Sequence, residues 1–193
     1  MYSDHELKSL SEKAFQNACE LIDESLLLFR DDHFSRAYVL AHLASEEIAK
    51  IPIIYGTRVR LIGKEEIDWR HFKKRLTGHH AKLRSIALFD YMTDEVDLIR
   101  NKDVERYNSQ LNLIKKQDQL KNMGLYSGYH ENTAFKPSDK FESKIAESMI
   151  DLTKGRLKWL KSKWPGMIAG KVTDNGFNAY KIISDVLNEA ENS

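Results

Sequence analysis

Residues 41–51 read Ala-His-Leu-Ala-Ser-Glu-Glu-Ile-Ala-Lys-Ile, a run in which apolar side chains recur at helical spacing around two adjacent carboxylates. This spacing predicts a helix that buries much of its surface. Glu47 falls on an apolar stripe, whereas Glu46 lies one turn from His42 and from Lys50, in a polar line typical of a solvated face. Because a buried carboxylate needs a cation or hydrogen-bond donors, we predict that Glu47 is buried against a partner from another helix.

That partner is predicted on the third helix. His79 lies on the apolar stripe of this helix and therefore points into the bundle, with Lys82 beside it. A histidine at such a position is either an ordinary hydrogen-bonded core residue or part of a site. A polar cluster of Glu47, His79 and Lys82 would perturb pKa values, which is a mark of functional sites. The third-helix stripe consists of Trp69, Phe72, Leu76, His79, Leu83, Ile86 and Asp90.

Helical periodicity extends over nearly all of the chain. A first helix is predicted from about Leu7 to Leu28, and a second from about Ser35 to Leu61, with Pro52 inside it. Gly63 is expected to end the second helix.

The second half of the chain is less regular. A more polar fourth segment contains Val96 and Ile114, and residues 122–138 form a long loop with two glycines, one proline and no helical period. Ser138 is predicted to cap a further helix, and a last short helix is predicted over 177–186.

No alternating strand pattern is present, so the sequence predicts an all-α fold. The helix count favours a four-helix bundle with additional short helices and one long loop. A chain of 193 residues fits one domain over 1–193, with a core at about 5–164 and a C-terminal extension at 165–193.

Charge is segregated along the chain. Residues 1–49 contain 4 Lys or Arg and 10 Asp or Glu, a net charge of −6, whereas residues 50–84 contain 10 and 3, a net charge of +7. This distribution indicates an anionic partner for the basic part, either nucleic acid or the acidic part of a second copy.

Several other classes of protein and site are disfavoured. The single cysteine, Cys19, excludes an intrachain disulfide and a multi-cysteine zinc site. No apolar run reaches the length of a membrane span and the N-terminus lacks the pattern of a signal peptide, so we expect a cytoplasmic protein without membrane contact. No histidine has a glutamate three residues before it, as helical di-iron sites require, so no metal and no cofactor are expected.

Three blocks of sequence occur in a fixed order. They are Ala-Tyr-Val-Leu-Ala-His-Leu-Ala-Ser-Glu-Glu-Ile-Ala-Lys at 37–50, His-His-Ala-Lys-Leu at 79–83, and Leu-Lys-Asn-Met-Gly-Leu-Tyr-Ser-Gly-Tyr at 120–129. Together they resemble the HEPN superfamily and, within it, the AbiV-type abortive infection proteins of bacterial phage defence. The resemblance covers about residues 10–160. The blocks match the family at Glu47, Lys50, His79, Lys82 and Tyr126.

By this resemblance, HEPN ribonucleases cleave RNA without metal, using an Arg followed four to six residues later by a His and paired across a homodimer. Two pairs have this spacing, Arg36 with His42 and Arg75 with His80. Arg36 and His42 lie about 120° apart on one helix, whereas Gly78 could loosen the chain between Arg75 and His80, so we prefer the second pair. The expected catalytic residues are Arg75, His80, His79 and Glu47, and the expected RNA-binding residues are Lys73, Lys74, Lys82, Arg84 and Tyr126.

Two functions remain open. The first is a HEPN-type, metal-independent endoribonuclease toxin that acts as a homodimer on tRNA, rRNA or mRNA and responds to a phage-encoded activator protein. The second is a non-catalytic HEPN-fold protein that blocks translation or senses a phage protein through an interface. A basic surface suits both RNA and an acidic protein partner, so charge does not separate the two.

Overall fold

The computed structural model describes residues 1–94, 104–163, 165–169 and 172. These residues are almost entirely helical, which confirms the all-α prediction. The helices are α1 (Asp4–Arg30), α2 (Phe34–Ile62), α3 (Trp69–Thr77), α4 (His79–Asp94), α5 (Val104–Leu125), α6 (Ser143–Lys163) and α7 (Pro165–Ala169). In the part of the chain so described, no helix has the length and apolar content needed to cross a membrane.

Helix α2 is the central element of the bundle and packs against α1, α4, α5 and α6. Its side chains from Ala37 to Val59 are buried on nearly all sides, as the apolar content of this segment predicts. As predicted, Pro52 lies inside the helix and Gly63 directly follows its last residue. Helix α1 begins at a capping box formed by Ser3 and Glu6, as its N-terminal sequence permits.

The predicted third helix is divided in two, which corrects the single stripe drawn from the sequence. Gly78 adopts an extended conformation, with φ −72° and ψ 124°, between α3 and α4. Its amide donates to the carbonyl oxygen of Lys74 and ends α3, and a Cβ at this position would lie 2.6 Å from that oxygen. The break is therefore stabilised by a glycine that no larger residue can replace without a shift. The break separates the short, basic helix α3 from α4, whose apolar side chains are part of the main hydrophobic core.

Residues 122–138 differ from the predicted irregular loop. Helix α5 continues to Leu125, and two short antiparallel strands follow, β1 (Gly128–His130) and β2 (Thr133–Phe135). Glu131 and Asn132 form the two-residue turn with φ of 51° and 62°, a geometry that suits a tight hairpin. Periodicity missed the hairpin because three-residue strands are too short to show an alternating pattern.

The start of the next helix also differs from the prediction. Ser138 lies in a 3-10 helix, Pro137–Asp139, and α6 begins at Ser143. Val96 and the predicted helix over 177–186 lie outside the described residues.

A second, smaller core holds α3 on the bundle. Phe72 is buried with Leu7, Ile53 and Ile54, and its ring packs edge-on against Trp69. Because only this apolar edge of α3 is covered, Arg70, Lys73 and Lys74 are exposed, whereas Arg75 is half-buried.

Candidate functional site

The buried carboxylate of α2 is Glu46, and this corrects the prediction for Glu47. Glu46 is 8% exposed, whereas the side chain of Glu47 is 17% exposed and pairs with Lys50 on its own helix at 2.5 Å. The face of α2 that carries Glu46, which the sequence indicated as solvated, is therefore turned towards α4 and α5. The apolar stripe was a poor guide here because α2 is covered on nearly all sides, so either glutamate could have met a partner.

Two lysines from two other helices contact Glu46. Lys82 of α4 donates to Oε2, and Lys121 of α5 donates to Oε1 at 3.0 Å. Burial alone raises the pKa of the Glu46 carboxyl, but the hydrogen bonds from the two ammonium groups outweigh burial and lower that pKa overall. Glu46 is therefore an ionised carboxylate shared by two cations at the junction of α2, α4 and α5.

A second carboxylate, Asp118 of α5, completes this polar cluster. Its Oδ1 lies 2.7 Å from Nζ of Lys121, and its Oδ2 lies 2.8 Å from Nε2 of His79. Burial raises the pKa of Asp118, and the hydrogen bonds from Lys121 and His79 lower it further than burial raises it. For Lys121, burial lowers the pKa, and the bonds to Asp118 and Glu46 more than compensate, so its pKa is raised. Glu46, Asp118 and Lys121 are thus each held in their ionised form by neighbouring groups of the cluster.

His79 stands between the two carboxylates. It is the first residue of α4, next to the Gly78 break, and 38% of its side chain is exposed. Its Nδ1 lies 3.6 Å from Oε1 of Glu46, beyond the range of a normal hydrogen bond. The side chain of His79 is more exposed than those of the two carboxylates and two lysines that surround it, so His79 is the residue of this group that a ligand can reach most easily. We name Glu46, His79, Lys82, Asp118 and Lys121 the α2–α4–α5 cluster.

His42 lies behind the α2–α4–α5 cluster. It is buried, its Nδ1 is 3.8 Å from Oε1 of Glu46, and that nitrogen has no hydrogen-bond partner in the described part of the chain. Burial lowers the pKa of His42 to about 4, although the charge of Glu46 opposes the shift. Near neutral pH His42 is therefore uncharged and closed to substrate.

Three of these residues offer atoms that a metal ion could use. His42, Glu46 and Asp118 each present one ligand atom, and the three atoms lie within 4.8 Å of one another. Lys121 Nζ, however, lies between the two carboxylates, at 3.0 Å from Glu46 and 2.7 Å from Asp118. A metal ion would have to displace this ammonium group, so the arrangement fits a built-in cation better than a bound one.

A separate buried ion pair supports α2 from the other side. Arg156 of α6 binds both carboxylate oxygens of Asp90 and donates to the hydroxyl of Ser45 at 2.8 Å. Ser45 also exchanges a 2.8 Å hydrogen bond with Thr153. Adjacent residues of α2, Ser45 and Glu46, therefore contact two different polar networks, and this fixes the rotation of α2 in the bundle.

The preferred catalytic pair lies on both sides of the helix break. Arg75 is in the last turn of α3 and is half-buried, while His80 is exposed in the first turn of α4. The ring centroids of His79 and His80 are 6.2 Å apart. The Gly78 break therefore lies between Arg75 and the two histidines, and their use as one catalytic group remains a prediction.

The alternative pair has structural contacts instead. Arg36 donates to the main-chain carbonyl oxygens of Gly124 and Leu125, at 3.2 and 3.1 Å, and so caps the C-terminal end of α5. His42 is buried and uncharged, as described above. Arg36 is exposed but has its guanidinium bound to these carbonyl oxygens, whereas His42 is buried.

The predicted RNA-binding residues lie mostly on the surface. Lys73, Lys74 and Arg84 are exposed, and the ammonium group of Lys73 lies 5.7 Å from the ring centroid of Tyr2. Lys82 is directed into the α2–α4–α5 cluster. Tyr126 is 67% exposed, just beyond the end of α5.

Sequence reasoning missed Asp118 and Lys121. They lie three residues apart on α5, a spacing that indicates a helical ion pair. This signal is common on solvated helices. What distinguishes the pair is contact with His79 and Glu46, 39 and 75 positions away in the sequence, and no local pattern encodes such contacts.

The described residues form an all-α bundle with a polar cluster at the junction of three helices, which places the chain among helical-bundle proteins. A family model, HEPN_AbiV, described as AbiV, matches residues 6–158, and the chain belongs to this family. Neither the curated proteins nor the solved structures contain a match to this chain. Membership of the family indicates a role in abortive-infection defence.

Proposed function

We propose that the protein is a metal-independent endoribonuclease of abortive infection, acting as a homodimer. The observation that carries the proposal is the position of His79: a half-exposed imidazole, held by a carboxylate, at a helix break between a basic surface and two lysines. This combination supplies proton-transfer groups and fixed positive charge without a metal ion.

RNA cleavage by this site would proceed by transfer of the phosphoryl group to the neighbouring 2′-oxygen. A histidine takes the proton of the 2′-hydroxyl, the 2′-oxygen attacks phosphorus, and the bond to the 5′-oxygen breaks as that oxygen receives a proton. We assign proton transfer to His80 and His79, which are adjacent at the start of α4. Arg75 neutralises the phosphate, since a guanidinium binds two phosphate oxygens at once. The carboxylate of the site is Glu46 rather than Glu47.

The RNA-binding surface is assigned to the basic segment around α3. Lys73, Lys74 and Arg84 are exposed there, and the net charge of +7 over residues 50–84 would attract the phosphate backbone. Such binding weakens as salt concentration rises, because counterions are released from RNA. In a homodimer, the acidic residues of α1 in one copy would also complement this basic segment in the other.

The proposal is tested by incubating the purified protein with total RNA in the presence of EDTA. We expect fragments that end in a 2′,3′-cyclic phosphate, and we expect Arg75→Ala and His80→Ala to abolish them. Arg30→Ala and His5→Ala are matched controls, since both residues are exposed on α1 and lie outside the basic segment. RNA that stays intact with the parent protein, in EDTA and in Mg²⁺ alike, would refute the ribonuclease.

A second candidate is an interaction protein that acts without cleavage. It is favoured by two exposed tyrosines at the hairpin: Tyr126, just before the first strand, is 67% exposed, and Tyr129, within that strand, is 82% exposed. Exposed tyrosines are enriched in protein interfaces, and a phage-encoded activator is the partner that this function requires. Growth arrest that persists in Arg75→Ala and His80→Ala but is lost in Tyr129→Ala would favour this candidate over the ribonuclease.

A further inference from the structure

The contact between His79 and Asp118 joins the first residue of α4 to the middle of α5, 39 positions apart in the sequence, with 2.8 Å between Nε2 and Oδ2. No sequence motif and no family match assigns a role to Asp118. We propose that Asp118 is a positioning residue for proton transfer: it holds the proton of His79 on Nε2 and leaves Nδ1 to exchange a proton with RNA. This inference rests on the proposed ribonuclease function of the same site.

The geometry favours this arrangement of the imidazole. A carboxylate that accepts a hydrogen bond from one protonated ring nitrogen fixes both the tautomer and the orientation of the ring. Nδ1 lies 3.6 Å from Oε1 of Glu46, too far for a hydrogen bond, and that oxygen already accepts from Lys121 at 3.0 Å. Among the residues that the structure describes, Nδ1 is therefore the nitrogen of His79 without a hydrogen bond to a protein group.

Asp118 is itself held in place. Its second oxygen, Oδ1, is buried and makes no well-aligned hydrogen bond among the described residues, but it lies 2.7 Å from Nζ of Lys121 in an ion pair, and this lysine also binds Glu46. The carboxylate is thus anchored from one side by a cation and presents its other oxygen to the imidazole. A group that is restrained in this way can orient a histidine without moving during the reaction, whereas a solvated carboxylate would not.

The first experiment tests the contact without relying on activity. In a ¹H–¹⁵N spectrum of the full chain, the Nε2 proton of His79 is expected to be protected from exchange and visible, with assignment by its loss in His79→Gln. Asp118→Ala should abolish this signal, and Asp118→Asn should move it upfield, because an amide oxygen accepts a weaker hydrogen bond. Glu105→Gln, an exposed carboxylate on the same helix, is the matched control and should leave the signal unchanged.

The second experiment measures steady-state cleavage of an RNA oligonucleotide. Asp118→Asn should lower kcat at least about 10-fold with KM unchanged, since replacing the carboxylate behind a proton-transferring histidine by Asn costs up to about 10⁴ in a Ser-His-Asp triad. Glu105→Gln should match the parent.

The two failures are distinguishable. If the parent protein cleaves RNA and Asp118→Asn cleaves at the same rate, the positioning role is overturned while the ribonuclease stands. If the parent cleaves nothing, the proposed function falls and the spectrum decides whether Asp118 holds His79. A signal that survives in Asp118→Ala overturns the inference in either case.

Discussion

Two adjacent glutamates of α2 should respond very differently to the same substitution. Glu46→Gln removes the negative charge shared by Lys82 and Lys121 and turns one of the two acceptor oxygens into a donor, whereas Glu47→Gln weakens one contact to Lys50 on the same helix. The two changes are identical in volume and charge, and they occur at consecutive positions. Any difference in stability therefore reports the surroundings of each carboxylate.

The expected loss of stability in Glu46→Gln depends on what each of the two lysines can still contact. Breaking a buried ion pair from one side typically costs about 3–5 kcal/mol. Lys121 keeps Asp118 at 2.7 Å, and the side chain of Lys82 is 15% exposed, so it can turn towards water. We therefore expect Glu46→Gln to lower the free energy of unfolding by about 3 kcal/mol, at the low end of that range. For Glu47→Gln, a helical pair at i,i+3 is worth only about 0.2–0.5 kcal/mol.

Urea unfolding followed by far-UV circular dichroism at pH 7 measures both effects. With a slope of about 2–3 kcal/mol per molar urea, the midpoint should fall by about 1 M for Glu46→Gln and by roughly 0.2 M for Glu47→Gln. Equal midpoints for the two variants, or a larger loss for Glu47→Gln, would show that the buried cluster is not centred on Glu46.

Two further predictions concern pH and packing. Burial lowers the pKa of His42 from its ordinary value of 6.5 to about 4. Between these two pH values the unfolded chain therefore binds a proton at His42, and the folded chain does not. The free energy of unfolding therefore decreases as pH falls through this window, and the loss due to His42 between pH 7 and pH 5 is about 2 kcal/mol. Urea unfolding at a series of pH values measures this loss, and His42→Gln should remove it. Parallel plots of unfolding free energy against pH for parent and variant would contradict the prediction. Gly124→Ala places a Cβ 2.9 Å from Cγ2 of Val39, in the packed contact of α5 with α2, and should lower stability by about 1–3 kcal/mol. Gly155→Ala meets no atom within 4 Å and should raise stability by about 0.5–1 kcal/mol, so a thermal melt in which both variants shift in the same direction would contradict the packing argument.

The helices could be predicted because their signals are local. The capping residues before α1, the long apolar period of α2 and the glycine after it lie within one or two turns of the boundaries that they set. The Gly78 break and the hairpin were harder to predict. Apolar periodicity carries across a single extended residue without interruption, and strands of three residues are shorter than the window in which a period of two can be recognised.

The sequence by itself determined that this chain is a helical bundle, that one carboxylate in residues 41–51 would be buried with cationic partners, and that His79 would be close to it. Only the tertiary structure decided which carboxylate this is. The choice depends on the rotation of α2 about its own axis, which is set by Ser45 and its contacts to α6 as much as by α2 itself. Asp118 and Lys121 enter the α2–α4–α5 cluster for the same reason: ion pairs between distant helices depend on how the helices pack, and short-range periodicity contains no information about that packing.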